Sequence, residues 1–280
     1  MRSPTIELAD AKAILPGGDD CSDVECVIGR AYRSDGKAKE IALALWADFG
    51  DLAGVGVDEV MDGGYRGRIH LVPQLPIGGY RKHLAWTAEA MRSIDGLLGQ
   101  LFAGRPAPRY RWRGLAVRFV RSIDKHTPSA YASGWEIHYN VEGSLLTNAA
   151  GVRETIIHEL FHNNDEDHGD WSAAHLQSDY DAIVERCGKA LTVTCLAPYA
   201  PNSTTVRGGT YYAFQPNNGN GVHEYAAELA VRYLREQSEM LVSGKLSRAA
   251  FKCGPVENAR TWKALVDEFF GGQDLVPSCN

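Results

Sequence analysis

The chain has 280 residues, 44% of them hydrophobic and 23% charged, with a formal net charge of -6 at pH 7. This composition belongs to a globular protein with a sizeable core, in one large domain or two modest ones. It speaks against a nucleic-acid partner, since no basic stripe with interleaved aromatics appears, and no apolar run approaches the roughly 18 residues of a membrane span.

Residues 1–35 read as irregular, with Pro16-Gly17-Gly18 and an acidic patch at Asp19, Asp20 and Asp23. A helix is predicted from about Lys37 to Phe49, then a glycine-rich loop from Gly50 to Gly67. Arg68 to Leu75 alternates apolar and polar residues like a strand. A long amphipathic helix from about Tyr80 to Phe102 stops at Gly104-Arg105-Pro106. Arg105, Arg109, Arg111 and Arg113 cluster there. Prolines 106 and 108 mark a turn, so a basic strand edge and loop is expected rather than an anion site. Leu115 to Ile123 and Trp135 to Val141 read as strands. In the second, alternation places Trp135, Ile137 and Tyr139 on one face, with His138 on the other as a strand-surface residue.

The most informative stretch follows, His158-Glu159-Leu160-Phe161-His162. Thr147 and Asn148 are N-cap types, and Val152, Ile156, Ile157, Leu160 and Phe161 form an apolar stripe at helical spacing. Histidines four apart lie on one helical face, so both imidazoles can address a single ion. Glu159 lies beside that ion without being needed as a ligand, placed to take a proton from a water.

The remaining elements read as helical: Ser172 to Gly188, His223 to Ser243 and Val256 to Phe270. A loop from Thr192 to Gly221 carries Tyr199, Tyr211, Tyr212 and Phe214, too aromatic for a plain linker. Asn202-Ser203-Thr204 has the form of a glycosylation sequon. Six cysteines fall as three local pairs, Cys21 with Cys26, Cys187 with Cys195 and Cys253 with Cys279. None makes a C-x-x-C motif, and an even count beside loops predicts disulfides in an exported chain, secreted or periplasmic, whose signal peptide is absent from the sequence.

A catalytic zinc site takes three protein ligands and leaves one position open. Two residues compete for the third place. Glu224 opens a helix as Glu224-Tyr225-Ala226-Ala227-Glu228, where Glu228 shares its face and can support a ligand as a hydrogen-bonding neighbour. His168 has the spacing of the metzincin pattern H-E-x-x-H-x-x-G-x-x-H. That pattern needs a sharp turn where this chain has Asp165, and a methionine turn downstream, where the only later methionine is Met240.

H-E-x-x-H followed by E-x-x-x-E on a later helix resembles the gluzincin metallopeptidases, most closely the anthrax lethal factor-type group. The resemblance covers about 80 residues, those two helices and the segment between. It implies an α+β, zincin-like fold in which a small mixed sheet packs on the active helix, ahead of a mostly helical C-terminal half. On that reading, residues 1–67 are an N-terminal segment of unknown role and 68–280 the catalytic domain. His158, His162 and Glu224 bind one Zn2+, Glu159 is the general base and Glu228 supports the ligands. The expected activity is zinc-dependent endoproteolysis of a protein or peptide, with Tyr212, or else Tyr211, as oxyanion donor and His223 behind both. Trp135, Ile137 and Tyr139, on the strand before the active helix, are expected to bind substrate at a sheet edge. A metzincin-type peptidase using His168 and a non-catalytic zinc-containing binding module are the alternatives.

Overall fold

The computed structural model describes residues 6–63, 66–188, 191–206, 209–216 and 221–279. The expected loops at Gly50 to Gly67 and Thr192 to Gly221 therefore lie partly outside the described residues, as does the N-terminal Met1-Arg2-Ser3-Pro4. In chain order the elements are α1 (Leu8–Ile14), α2 (Val24–Ala31), α3 (Gly36–Phe49), β1 (Leu52–Val55), β2 (Glu59–Asp62), β3 (Arg68–Pro73) and α4 (Arg81–Leu101). They continue with β4 (Ala116–Ser122), β5 (Ala130–Ser133), β6 (Glu136–Asn140), α5 (Ala149–Asp167), α6 (Trp171–His175) and α7 (Gln177–Cys187), then α8 (Val193–Leu196), α9 (Gly221–Ser243) and α10 (Val256–Phe270). The class is α+β, with one mixed sheet.

The chain divides into two compact units, Met1–Asp95 with Arg111–Asn163, and Gly96–Tyr110 with Asn164–Asn280. This differs from a boundary at residue 67. β2 and β3 pair antiparallel and β1 pairs parallel with β4, so the N-terminal segment supplies two strands to the same sheet as β3 to β6. The sheet order is β2-β3-β4-β6-β5, with β1 and β3 on the same edge of β4.

Two further expectations change in this first unit. Residues 1–35 contain α1 and α2. Asp23, read as part of an acidic patch, caps α2 by accepting from the Cys26 amide at 2.8 Å, and the helix buries Val24, Val27 and Ile28. The glycine-rich stretch after α3 holds β1 and β2. At Gly54 a Cβ would stand 2.6 Å from Ile14 Cγ1, so this glycine permits close packing of α1 on β1 rather than a loop. On the core face of the sheet, Val117, Phe119, Ile137 and Tyr139 are all essentially buried.

The second unit is helical. Its core is aromatic: Tyr233 stacks on Phe270 with centroids 4.1 Å apart, and Trp262, Phe269 and Phe214 are buried. The segment expected as one helix from Ser172 to Gly188 is two, α6 and α7, parted at Leu176. The three disulfides pair neighbouring cysteines as expected, Cys21–Cys26 in the first unit and Cys187–Cys195 and Cys253–Cys279 in the second. They fit an oxidising, extracellular setting. Among the described residues no helix is long and apolar enough to cross a membrane.

Asp51 joins α3 to β1 and is 1% exposed. Its Oδ1 accepts from the Leu115 amide at 2.9 Å, and its Oδ2 is fully enclosed near the Gly114 amide. Burial pushes its carboxyl up to about 8. Between about pH 4 and this value the unfolded chain releases a proton that the folded chain keeps. Raising the pH through that window therefore favours unfolding. Asp51→Asn should flatten the fall in melting temperature from pH 5 to pH 8 relative to the parent; parallel curves for the two proteins would contradict the burial argument.

Candidate metal centre

α5 begins where the sequence places it. The Asn148 side chain accepts from the Gly151 amide at 3.0 Å, and Val152, Ile156, Leu160 and Phe161 are fully buried. With that stripe fixed, His158 and His162 share the neighbouring face. Their Nε2 atoms are 3.1 Å apart, with ring planes at 78°. Two nitrogens bound tetrahedrally at about 2.0–2.1 Å from one zinc would be separated by roughly 3.3 Å. The pair thus has the spacing of two ligands of one ion. His158 and Glu159 are each 7% exposed.

Glu224 stands in the first turn of α9. One ligand atom from each of His158, His162 and Glu224 lies within 4.8 Å of the others, and among the described residues this is the one such group of His, Cys, Asp and Glu. An imidazole pair with a carboxylate is a donor set that suits zinc.

His168 is not in this group. α5 continues unbroken past Asp165 to Asp167, with no sharp turn after His162. Asp165 instead accepts from the backbone and hydroxyl of Ser172, at 2.7 and 2.5 Å. The His168 side chain is 4% exposed, its Nδ1 is 2.8 Å from Glu268 Oε1, and its ring lies against Phe269.

Glu228 follows one turn after Glu224 and is buried. Asn202 Nδ2 donates to both the Glu228 carboxylate and its carbonyl, each at 2.8 Å. Asn202, the sequon asparagine, is therefore enclosed and committed in the folded chain. Tyr212 begins a short 3-10 turn, its amide donating to Thr204 O at 2.9 Å, while Tyr211 bridges to Thr205 and lines a cavity with Asn202 and Arg232. His223 Nε2 is enclosed without a hydrogen-bond partner.

Sequence reasoning missed Tyr180, on α7. Its ring stacks on Phe214 and meets Tyr225 edge-on, with centroids 5.6 and 5.9 Å away. A Cβ at Gly221 would stand 2.2 Å from the Tyr180 hydroxyl, so the first residue of α9 has to be glycine. The phenol thus sits at the start of the helix that carries Glu224. Burial pushes it up to about 12, with Asp181 and Glu224 adding to the rise, so it stays protonated as a donor at neutral pH. Only spatial proximity reveals it, because 44 residues of sequence separate it from Glu224.

The strand expected as a sheet edge, Trp135 to Val141, is an inner strand, and the edge of the sheet on this side is β5. β6 has both sides paired, with β4 and with β5. Ile137 and Tyr139 are fully buried, and the Tyr139 hydroxyl lies 3.0 Å from His83 Nδ1. β5 has one strand partner, β6, among the described residues. His138 is not a surface residue either: its side chain is 11% exposed and its ring stacks on Tyr131 at 4.4 Å. The arginines of the 105–113 cluster that reach partners are committed, Arg109 to Glu268, Arg113 to Asp95 and Arg111 over the Trp135 ring at 3.5 Å.

Trp135 is in fact the second residue of the two-residue β5–β6 turn. Gly134 and Trp135 both have positive φ, +59° and +64°, as a type I′ hairpin requires. A tryptophan there costs about 1 kcal/mol or more. The conformation is held by Asn163, the residue after His162, whose Oδ1 accepts the Trp135 amide at 3.1 Å while its Nδ2 donates to Glu136 O at 3.4 Å. The candidate metal helix is thereby tied to the hairpin of the outermost strand. Comparison with family models, with curated proteins and with solved structures finds no match to this chain. Asn163→Ala strands the Trp135 amide and should destabilise the protein by about 1–3 kcal/mol. An unchanged midpoint in urea denaturation would show that the turn holds itself.

Proposed function

We propose that the protein is a zinc-dependent endopeptidase of the gluzincin type, with His158, His162 and Glu224 as metal ligands. The observation that carries this reading is the 3.1 Å separation of the two imidazole nitrogens beside a carboxylate, with Glu159 adjacent in sequence. Zinc held by these three residues would supply a Lewis acid for water and for a peptide carbonyl.

The chain's own groups do the rest. Glu159 takes the proton of the attacking water and passes it to the leaving amine. Glu228, fastened by Asn202, stabilises the turn of α9 that presents Glu224. Tyr180 donates a hydrogen bond to the oxyanion that develops on the substrate. It takes this role ahead of Tyr211 and His223, with Tyr212 as the alternative. Its side chain keeps part of its surface in solvent, whereas His223 Nε2 is enclosed and Tyr211 faces a different cavity. An extended peptide adds to the unpaired side of β5 through main-chain hydrogen bonds.

Glu159→Gln keeps the shape of the site but removes the base. Casein hydrolysis should fall by about 100-fold or more with zinc content unchanged. Equal hydrolysis by the variant would remove Glu159 as the base, and none by the zinc-loaded parent would point to a binding module instead. Tyr180→Phe should lower kcat by about 100- to 1000-fold, leaving KM and zinc content near parental values. The same loss on Tyr212→Phe and none on Tyr180→Phe would return the donor role to Tyr212.

A further inference from the structure

Glu224, Glu228, Arg232 and Glu236 recur every four residues along α9, so each neighbours the next and the row winds slowly round the helix, by about 40° per step. Arg232 lies at a cavity of about 310 Å³ in the second unit, and Asn202, which holds Glu228, is part of its wall. The cavity is built in advance of any ligand. Arg232 is 6% exposed and donates to Glu236 at 2.6 Å, to Pro201 O at 3.3 Å and to Ala249 O at 3.0 Å, bridging the two walls. Asn258 Nδ2 bridges them again, to Pro198 O and Phe251 O. One wall follows directly after the Cys187–Cys195 disulfide and the other contains Cys253 of Cys253–Cys279.

The charges in this cavity are not balanced. Glu236 compensates Arg232 from behind, and no carboxylate lines the space. Arg248, at the cavity and exposed, makes no hydrogen bond or ion pair among the described residues. Glu239, the acid nearest in charge terms, accepts the amide and hydroxyl of Ser247 at 2.8 and 3.0 Å. Bonds to Glu236, Pro201 and Ala249 use three of Arg232's five N–H groups, which leaves two. Alanine, proline and phenylalanine supply about half of the lining, and Asn202, Ser203, Tyr211 and Asn258 are its uncharged polar part. Such a space suits a single negative charge on a short aliphatic stem. A phosphate dianion would bring more negative charge than the one uncompensated cation here, Arg248, can balance.

We propose that this cavity is a subsite for an aspartate or glutamate side chain of the peptide substrate, with its carboxylate held by Arg248 and by the remaining N–H groups of Arg232. Assigning the carboxylate to a substrate rests on the peptidase reading; the cavity's preference for a carboxylate does not. Arg232 is eight residues from Glu224, about 12 Å along the helix. An extended peptide advances about 3.3 Å per residue, so the acidic residue falls roughly three or four positions from the scissile bond.

The test uses binding, without catalysis. Acetyl-glutamate methylamide, acetyl-glutamine methylamide and glutarate are titrated into the 15N-labelled full chain. The glutamate compound should shift the amide resonances of Ala249, Ala250 and Phe251 to saturation, and the glutamine compound should not. Arg248→Glu, an exposed change that should leave the melting temperature unaltered, should weaken binding at least tenfold. Equal shifts from the glutamine compound, no shifts at these residues, or undiminished binding by Arg248→Glu would overturn the proposal. Binding of glutarate alone would overturn the side-chain assignment in favour of a free dicarboxylate. Loss of the peptidase reading would appear separately, as absence of casein hydrolysis with this binding intact.

Discussion

Four-residue spacing on one buried helix is the constraint on which the candidate site depends. α5 commits Val152, Ile156, Leu160 and Phe161 to the interior, and this fixes the rotation of the helix. Once that rotation is set, His158 and His162 must present their Nε2 atoms together, 3.1 Å apart. Neither histidine has to be steered by a loop. The tie from Asn163 to the strained Trp135 turn then holds the C-terminal part of this helix stretch against the β5–β6 hairpin. Helix, ligand pair and outer strand are thus positioned by consecutive residues, 162 and 163.

The second helix of interest, α9, keeps an unusual number of charges out of solvent. Glu228, Arg232 and Glu236 are each under 9% exposed. Burying charges is expensive unless each is paired. Here Asn202 serves Glu228, Arg232 and Glu236 serve each other, and wall carbonyls absorb more of the guanidinium's donors. A run of paired charges is a costly way to build a helix whose role is packing alone. Under the proposed reading this buried row joins Glu224, at one end, to the Arg232 cavity further along.

Much of this was legible before any coordinates. The long helices α3, α4, α9 and α10 follow from apolar periodicity, and the disulfide pairs follow from proximity in sequence. The His158, His162 and Glu224 group follows from four-residue spacings on two helices. What escaped depended on information that spacing does not carry. β1 was hidden because its glycines, such as Gly54, exist to admit Ile14. α2 was hidden because Asp23 reads as surface charge until its bond to the Cys26 amide is seen. The edge strand was misplaced because β5 is only four residues long, while Ile137 and Tyr139 alternate as an edge strand would and yet pack as core. Tyr180 and the Arg232 cavity arise from contacts between distant segments, where periodicity is silent.

Metal analysis of the purified full chain and of two variants tests the central claim most directly. The account predicts one zinc per chain in the parent, a sharp loss of zinc in Glu224→Ala, and parental zinc in His168→Ala, whose imidazole is held by Glu268. Absence of stoichiometric zinc from the parent, or loss of zinc in His168→Ala with retention in Glu224→Ala, would contradict it.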